Sequence, residues 1–259
     1  MTPLWPSRDD GHGTPVIWIH GFPLSSAIFA PQAAIPGVRH IVPDLPGFGG
    51  TPPPEGEISI DGYAEGILRI LDEKGIRSGV VAGLSMGGYI ALALARQAME
   101  RLCGLILIDT RETPDAPEAR AGRVASIEAV RANGTGSVVE SMLPKMLTEE
   151  TMKRDEAKAL AVRRIMESAS AEGVVSALGA MARRGDSSSL LPRIEVPTLV
   201  VVGREDAIMP PADAERMRTA IPGAELVVIE GAAHLSNFER PEEFNRAAGR
   251  FLAGVEPRR

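Results

Sequence analysis

Short, largely apolar runs rich in Val, Ile and Leu recur along this chain, at Val16 to Ile19, His40 to Val42, Val80 to Leu84, Leu105 to Ile108, Thr198 to Val202 and Leu226 to Ile229. They are continuous rather than alternating, which suits strands covered on both faces, the situation of a parallel sheet between two helical layers. Helical candidates fall at Asp61 to Lys74, Met86 to Glu100, Pro211 to Ala220 and Pro241 to Ala253, the last two opening on a proline suited to a first turn. This alternation predicts an α/β fold with a doubly wound, mostly parallel sheet and ligand chemistry at the carboxyl ends of its strands.

The alternation stops between Arg111 and about Leu191, where spacing is helical and no strand signal appears. An insertion is expected there. It divides the chain into a first core part at 1–110, a helical insertion at 111–191 and a second core part at 192–259. Four or so short helices are predicted within it, with Asn133-Gly134 marking a stop, Pro144 interrupting a helix, and Val174, Leu178 and Met181 sharing one face. The insertion holds no Phe, Trp or Tyr but five of the ten methionines: Met142, Met146, Met152, Met166 and Met181. Such residues ordinarily fill core; where they face a pocket, flexible thioethers accept apolar groups of varied shape. Met142 and Met146, with Met209 from the second core part, are the candidates for contacting substrate.

Acidic residues outnumber basic ones, 34 to 28, and no Lys/Arg run exceeds a pair, so the chain carries no footprint for nucleic acid or an anionic membrane. A small-molecule partner is expected. The first ten residues lack the pattern of a secretion signal, and no apolar stretch reaches the roughly 18 residues that span a bilayer, so a cytoplasmic location is expected. Cys103 is the one cysteine, which excludes an intrachain disulfide, and its place beside a strand run predicts a buried inert thiol. No cofactor is expected. With four histidines and no Cys/His cluster at ligand spacing, no metal site is expected either.

Chemistry enters at Gly83-Leu84-Ser85-Met86-Gly87, which follows the run from Val80 and precedes the helical Tyr89-Ile90-Ala91-Leu92. Gly-x-Ser-x-Gly alone recurs by chance about one time in ten in a chain of this length, so its context decides. A strand turning directly into a helix needs a tight corner, and glycines two positions either side of Ser85 keep side chains out of it. The hydroxyl then stands at the sheet's carboxyl edge near the positive end of a helix, where developing negative charge is stabilised.

Serine at its ordinary pKa is a poor nucleophile and needs a base, itself oriented by a carboxylate. His234, just past the last strand run, is best placed as the base. His12 precedes the first strong run, and His40 opens a strand at its opposite end. Two aspartates contend for the acid, Asp206 and Asp109, each at the carboxyl end of a strand run, with Glu205 a distant third. Chain order Ser, Asp, His fits both aspartates; Asp206 is favoured because it lies one strand nearer His234. The Met86 N–H would supply one oxyanion donor, and Gly21 lets the His20-Gly21-Phe22-Pro23 turn bring the Phe22 N–H in as the second. Pro23 has no N–H to offer.

Together with Asp44-Leu45-Pro46-Gly47-Phe48-Gly49, Gly203-Arg204-Glu205-Asp206 and Gly231-Ala232-Ala233-His234, these motifs resemble those of the α/β-hydrolases over nearly the whole chain. The resemblance implies a triad of Ser85, Asp206 and His234, oxyanion donors at Phe22 and Met86, and a helical cap inserted after Asp109. It places Asp109 at a strand end that usually serves packing or the substrate pocket. The branches this chain is similar to are small esterases, 3-oxoadipate enol-lactonases and cofactor-free perhydrolases. Only some fourteen residues precede the first strong run, where such proteins often begin with an antiparallel hairpin, so the sequence leaves open whether that edge strand is present. Serine at 85 disfavours the dehalogenases and epoxide hydrolases of this fold, which resemble it with aspartate there. Ester hydrolysis through an acyl-enzyme is therefore expected, with lactone hydrolysis, perhydrolysis and a non-catalytic small-molecule receptor as alternatives. Activity should fall below about pH 6 as His234 protonates.

Overall fold

The computed structural model describes residues 5–256. Its sheet has seven strands: β1 (Ser7–Gly11), β2 (Thr14–Ile19), β3 (Val38–Pro43), β4 (Gly79–Leu84), β5 (Leu102–Ile108), β6 (Thr198–Gly203) and β7 (Glu225–Ile229). Their order is β1-β3-β2-β4-β5-β6-β7, parallel throughout except for β1, which runs antiparallel to β3 from Ser7↔Pro43 to Gly11↔Arg39. All six apolar runs are strands. The edge strand that the sequence leaves open is present as β1. It gave no signal because Ser-Arg-Asp-Asp-Gly contributes no apolar face; an edge strand can be held by its backbone ladder and by exposed charge pairs, here Asp9 with Arg39 and Lys74.

Alternate residues of the central strands point to opposite faces, and both faces are apolar. Val16, Trp18, Val80, Ala82, Ile106 and Val201 enter one buried cluster, while Ile17, Ile19, Val81, Leu105, Leu107 and Val200 enter the other. The helices α1 (Ile60–Glu73) and α2 (Met86–Gln97) cover the second face. The first is covered by a 3-10 helix at Ser26–Ala34, through Ile28 and Phe29, and by the last helix of the chain, Pro241–Ala253, through Phe244 and Phe251. α1 starts where Ser59 Oγ accepts the Gly62 N–H at 3.0 Å, an N-cap that supplies an acceptor the first turn lacks.

Five helices lie between β5 and β6: α3 (Pro117–Asn133), α4 (Gly136–Met146), α5 (Glu149–Arg154), α6 (Glu156–Glu167) and α7 (Ala171–Ala182). Gly134 ends α3 in a left-handed conformation, φ 76°, as Asn133-Gly134 predicts. Pro144 does not end α4, which continues to Met146; a proline in a last turn costs one backbone hydrogen bond close to where the ladder stops. Val174, Leu178 and Met181 of α7 share the buried face expected of them. After β6 come α8 (Pro211–Ala220), β7, the short α9 (Ser236–Glu239) and α10 (Pro241–Ala253). Among the described residues, no helix is long and apolar enough to cross a membrane.

Candidate active site

The corner between β4 and α2 holds Ser85 at φ 52°, ψ −113°, a conformation a non-glycine residue rarely adopts, costing about 1–3 kcal/mol. Surrounding bonds fix it there. The Ser85 N–H donates to Ile108 O at 2.9 Å, extending the β4–β5 ladder, and its carbonyl accepts the Gly88 N–H at 2.9 Å and the Thr110 hydroxyl at 2.8 Å. The glycines are sterically required: a Cβ on Gly83 would lie 2.2 Å from Gly87 O, and one on Gly87 2.0 Å from Ile19 O. Ser85 is the N-cap residue of α2, so its hydroxyl stands at that helix's positive end.

The structure brings three of the predicted residues into a hydrogen-bonded line. His234 Nε2 lies 2.9 Å from Ser85 Oγ, and His234 Nδ1 lies 2.8 Å from Asp206 Oδ2. An ionised carboxylate only accepts, so Nδ1 carries the proton and donates to Asp206, leaving Nε2 to accept from the serine. Asp206 is held in turn by the Ile208 and Met209 N–H groups, which donate to its Oδ1 at 2.8 and 2.9 Å. Ser85 is 9 % exposed, against 3 % for Asp206 and 1 % for His234, so the serine is the most exposed member of the line. Burial alone would lower the basicity of His234. The charge and hydrogen bond of Asp206, with the charge of Asp109, outweigh it and raise the pKa above the ordinary 6.5.

The other candidates separate from this line. Asp109, the rival acid, does not touch His234: its Oδ1 accepts from Gly203 N and its Oδ2 from Ser236. Glu205 bonds through its backbone N–H to Ala232 O. His40 is buried and accepts the Trp18 indole N–H at 3.1 Å, and His12 is exposed in the turn between β1 and β2. His20 is a strut: Nε2 accepts the Leu45 N–H at 3.0 Å while Nδ1 donates to Gly21 O, and burial lowers its pKa to about 4, so it stays neutral. It ties the turn bearing Phe22 to the loop beginning at Asp44. A Cβ on Gly21 would come within 3.0 Å of Ser85 Cβ, so the backbone leading into Phe22 runs directly beside the serine. Met86 follows Ser85 as the first residue of α2.

Met209 is buried, with its Sδ 3.9 Å from Tyr89 Oη. Met146 is buried among Val139, Leu143 and Val162, whereas Met142, one turn earlier on α4, is half-buried and packs against the clusters of both sheet faces. Thr110, Ser236 and Glu239, which brace the serine and the histidine loop, gave no sequence signal beyond proximity to Asp109 and His234. Among the described residues, no group of three or more His, Cys, Asp or Glu side chains is placed to hold a metal ion.

A family model described as the alpha/beta hydrolase fold matches residues 14–241. The chain is similar in structure to a thermophilic esterase from Thermogutta terrifontis, at 40% identity and TM-score 0.93, covering 96% of this chain and 92% of that one. It is also similar to the enol-lactonase from Burkholderia xenovorans LB400, at 28% identity and TM-score 0.89, covering 96% of both. A sequence relative, 3-oxoadipate enol-lactonase 1 of Acinetobacter baylyi, is 29% identical over 76% of this chain and 73% of the relative.

Proposed function

The chain belongs to the α/β-hydrolase fold family, and on that premise we propose that it is a serine hydrolase cleaving carboxylic esters of small molecules through an acyl-enzyme. The observation that carries this reading is the continuous Ser85–His234–Asp206 hydrogen-bond line, with the serine at a strained strand-to-helix corner. In it, Ser85 Oγ attacks the ester carbonyl carbon as His234 Nε2 takes its proton, and Asp206 stabilises the imidazolium that forms. The oxyanion lies against the N–H groups of Phe22 and Met86. The proton then passes to the departing alkoxide, leaving an acyl-serine. Water, deprotonated by His234, attacks that acyl group, and the bond to Ser85 Oγ breaks as His234 returns the proton to Oγ, releasing the acid and restoring the serine.

In the same reading, the helical segment at 111–191 caps the site, with the core parts at 1–110 and 192–259 beneath it, and half-buried Met142 contributes to the apolar surface that meets the substrate, whereas Met146 and Met209 are buried and present almost no surface. A second reading, hydrolysis of a lactone, is favoured by the similarity to the two enol-lactonases. A lactone is a cyclic ester, so the same residues would take the same roles.

A fluorophosphonate probe tests the shared step. It should label wild-type protein at Ser85 and leave Ser85→Ala unlabelled; folded wild-type protein that stays unlabelled rejects both readings and favours a non-catalytic receptor. A panel of p-nitrophenyl esters of increasing acyl length, with lactones and hydrogen peroxide as further arms, separates ester, lactone and perhydrolysis preference by kcat/KM. Loss in Ser85→Ala should be on the order of a million-fold, the figure known for the triad serine of subtilisin.

A further inference from the structure

We infer that Asp109 is a positioning residue for the proposed serine hydrolase machinery, its carboxylate fastening the strand end that carries Asp206 to the loop that carries His234. The inference rests on the serine-hydrolase reading. Asp109 is the first residue beyond β5, the strand between β4, which leads to Ser85, and β6, which leads to Asp206. Its side chain is fully buried and accepts three hydrogen bonds. Oδ1 takes the Gly203 N–H at 2.8 Å, three residues before Asp206; Oδ2 takes the Ser236 N–H at 3.0 Å and the Ser236 hydroxyl at 2.7 Å, two residues after His234.

Upstream of His234, the acid and base loops already share the Glu205 N–H to Ala232 O bond at 2.9 Å. Asp109 supplies the connection on the downstream side, so the imidazole is held from both directions. Asp109 has a left-handed backbone, φ 45°, which glycine would adopt more readily; its N–H donates to Val201 O at 2.9 Å. A carboxylate kept at a strained position, buried, with all its bonds directed to the two loops, fits a positioning task. Glycine would remove the strain and also the bridge.

The carboxylate also acts through space. The charged groups that act on His234 are Asp206, Asp109 and Arg111, and those that act on Asp109 are Asp206 and His234. Burial, then repulsion by Asp206, raises the Asp109 pKa to about 7, against the pull of His234, Ser236 and Gly203. Protonation of His234 therefore favours ionisation of Asp109, and a second negative charge steadies the imidazolium that the reaction requires.

The test compares Asp109→Asn and Ser236→Ala with wild type by phosphonate labelling rate, kcat, KM and the pH profile of kcat/KM. Asn cannot accept from both loops, since its NH2 faces a donor. The expected result is a fall in kcat and labelling rate of up to about 100-fold in Asp109→Asn, as when reacting groups shift by about 1 Å. KM should stay within about twofold, and the acidic limb should move to lower pH because a negative charge near His234 is gone. Ser236→Ala should move both in the same direction by less. Asp109→Asn with wild-type melting temperature, labelling rate and acidic limb would overturn the inference. Should that variant fail to fold, an unchanged limb and rate in Ser236→Ala overturns it instead. Unlabelled wild type defeats the serine reading itself, an outcome distinct from labelled wild type with an equally labelled variant.

Discussion

Glu239 accepts two hydrogen bonds from Thr148, from the backbone N–H and from the hydroxyl, both at 2.7 Å, joining the start of α5 to the end of α9. The other carboxylate oxygen accepts the Ala233 N–H at 2.8 Å, next to His234. One buried side chain therefore links the helices between β5 and β6 to the loop that holds the proposed base. Glu239→Gln keeps the shape but turns an NH2 toward an N–H, leaving a buried donor unsatisfied at a cost of about 1–3 kcal/mol. A melting temperature lower by roughly 2–4 °C per kcal/mol is expected, together with reduced kcat. A variant with unchanged melting and turnover would show that this link holds neither loop.

Substitutions of glycine should have opposite signs in different places. Gly87→Ala forces a Cβ against the Ile19 carbonyl oxygen, 2.0 Å away, and should abolish phosphonate labelling or prevent folding. Gly122→Ala lies inside α3 with nothing within 4 Å and should stabilise by about 0.5–1 kcal/mol by improving helix propensity. Thermal unfolding of the pair checks both signs. Equal effects would contradict the packing described for the corner.

The pH profile follows from the raised pKa of His234. A base with a raised pKa keeps its proton to higher pH, so the neutral imidazole that accepts from Ser85 prevails only above that value. The acidic limb of kcat/KM should therefore lie above the 6.5 of an ordinary histidine, and not near pH 6 as the sequence alone suggests. Asp206→Asn removes the main compensating charge and should move the limb down while lowering the rate. A wild-type limb below pH 6 would show that burial outweighs Asp206.

The start of α7 rests on the loop after β3. Ser170 N–H donates to Gly47 O at 2.9 Å, and a Cβ on Gly173 would lie 2.5 Å from the Gly47 Cα. Gly173→Val should push α7 off this loop. If 111–191 caps the site, KM for long-chain p-nitrophenyl esters should change more than for acetate, with the phosphonate labelling rate changing little. An equal change in KM across the panel would count against the cap.

The central strands and the strand-to-helix corner at Ser85 could be read from the sequence because their causes are local. A strand buried on both faces must be apolar throughout, and a strand that turns at once into a helix must clear its corner with glycine, so Val80 to Gly87 states its structure residue by residue. The edge strand β1 could not be read this way, since a polar segment becomes a strand only when a partner such as β3 offers its backbone. Asp109 and Asp206 carry the same local signature, each an aspartate at the carboxyl end of a strand in the right chain order, and only the shorter chain distance to His234 favours Asp206. The folded arrangement decides between them: Asp206 Oδ2 meets His234 Nδ1 at 2.8 Å, while Asp109 is engaged by Gly203 and Ser236. The bracing by Thr110, Ser236 and Glu239 was decided at the same level, because a hydrogen bond between residues as far apart as 148 and 239 depends on where the packed elements bring their ends, and no short-range pattern encodes that distance.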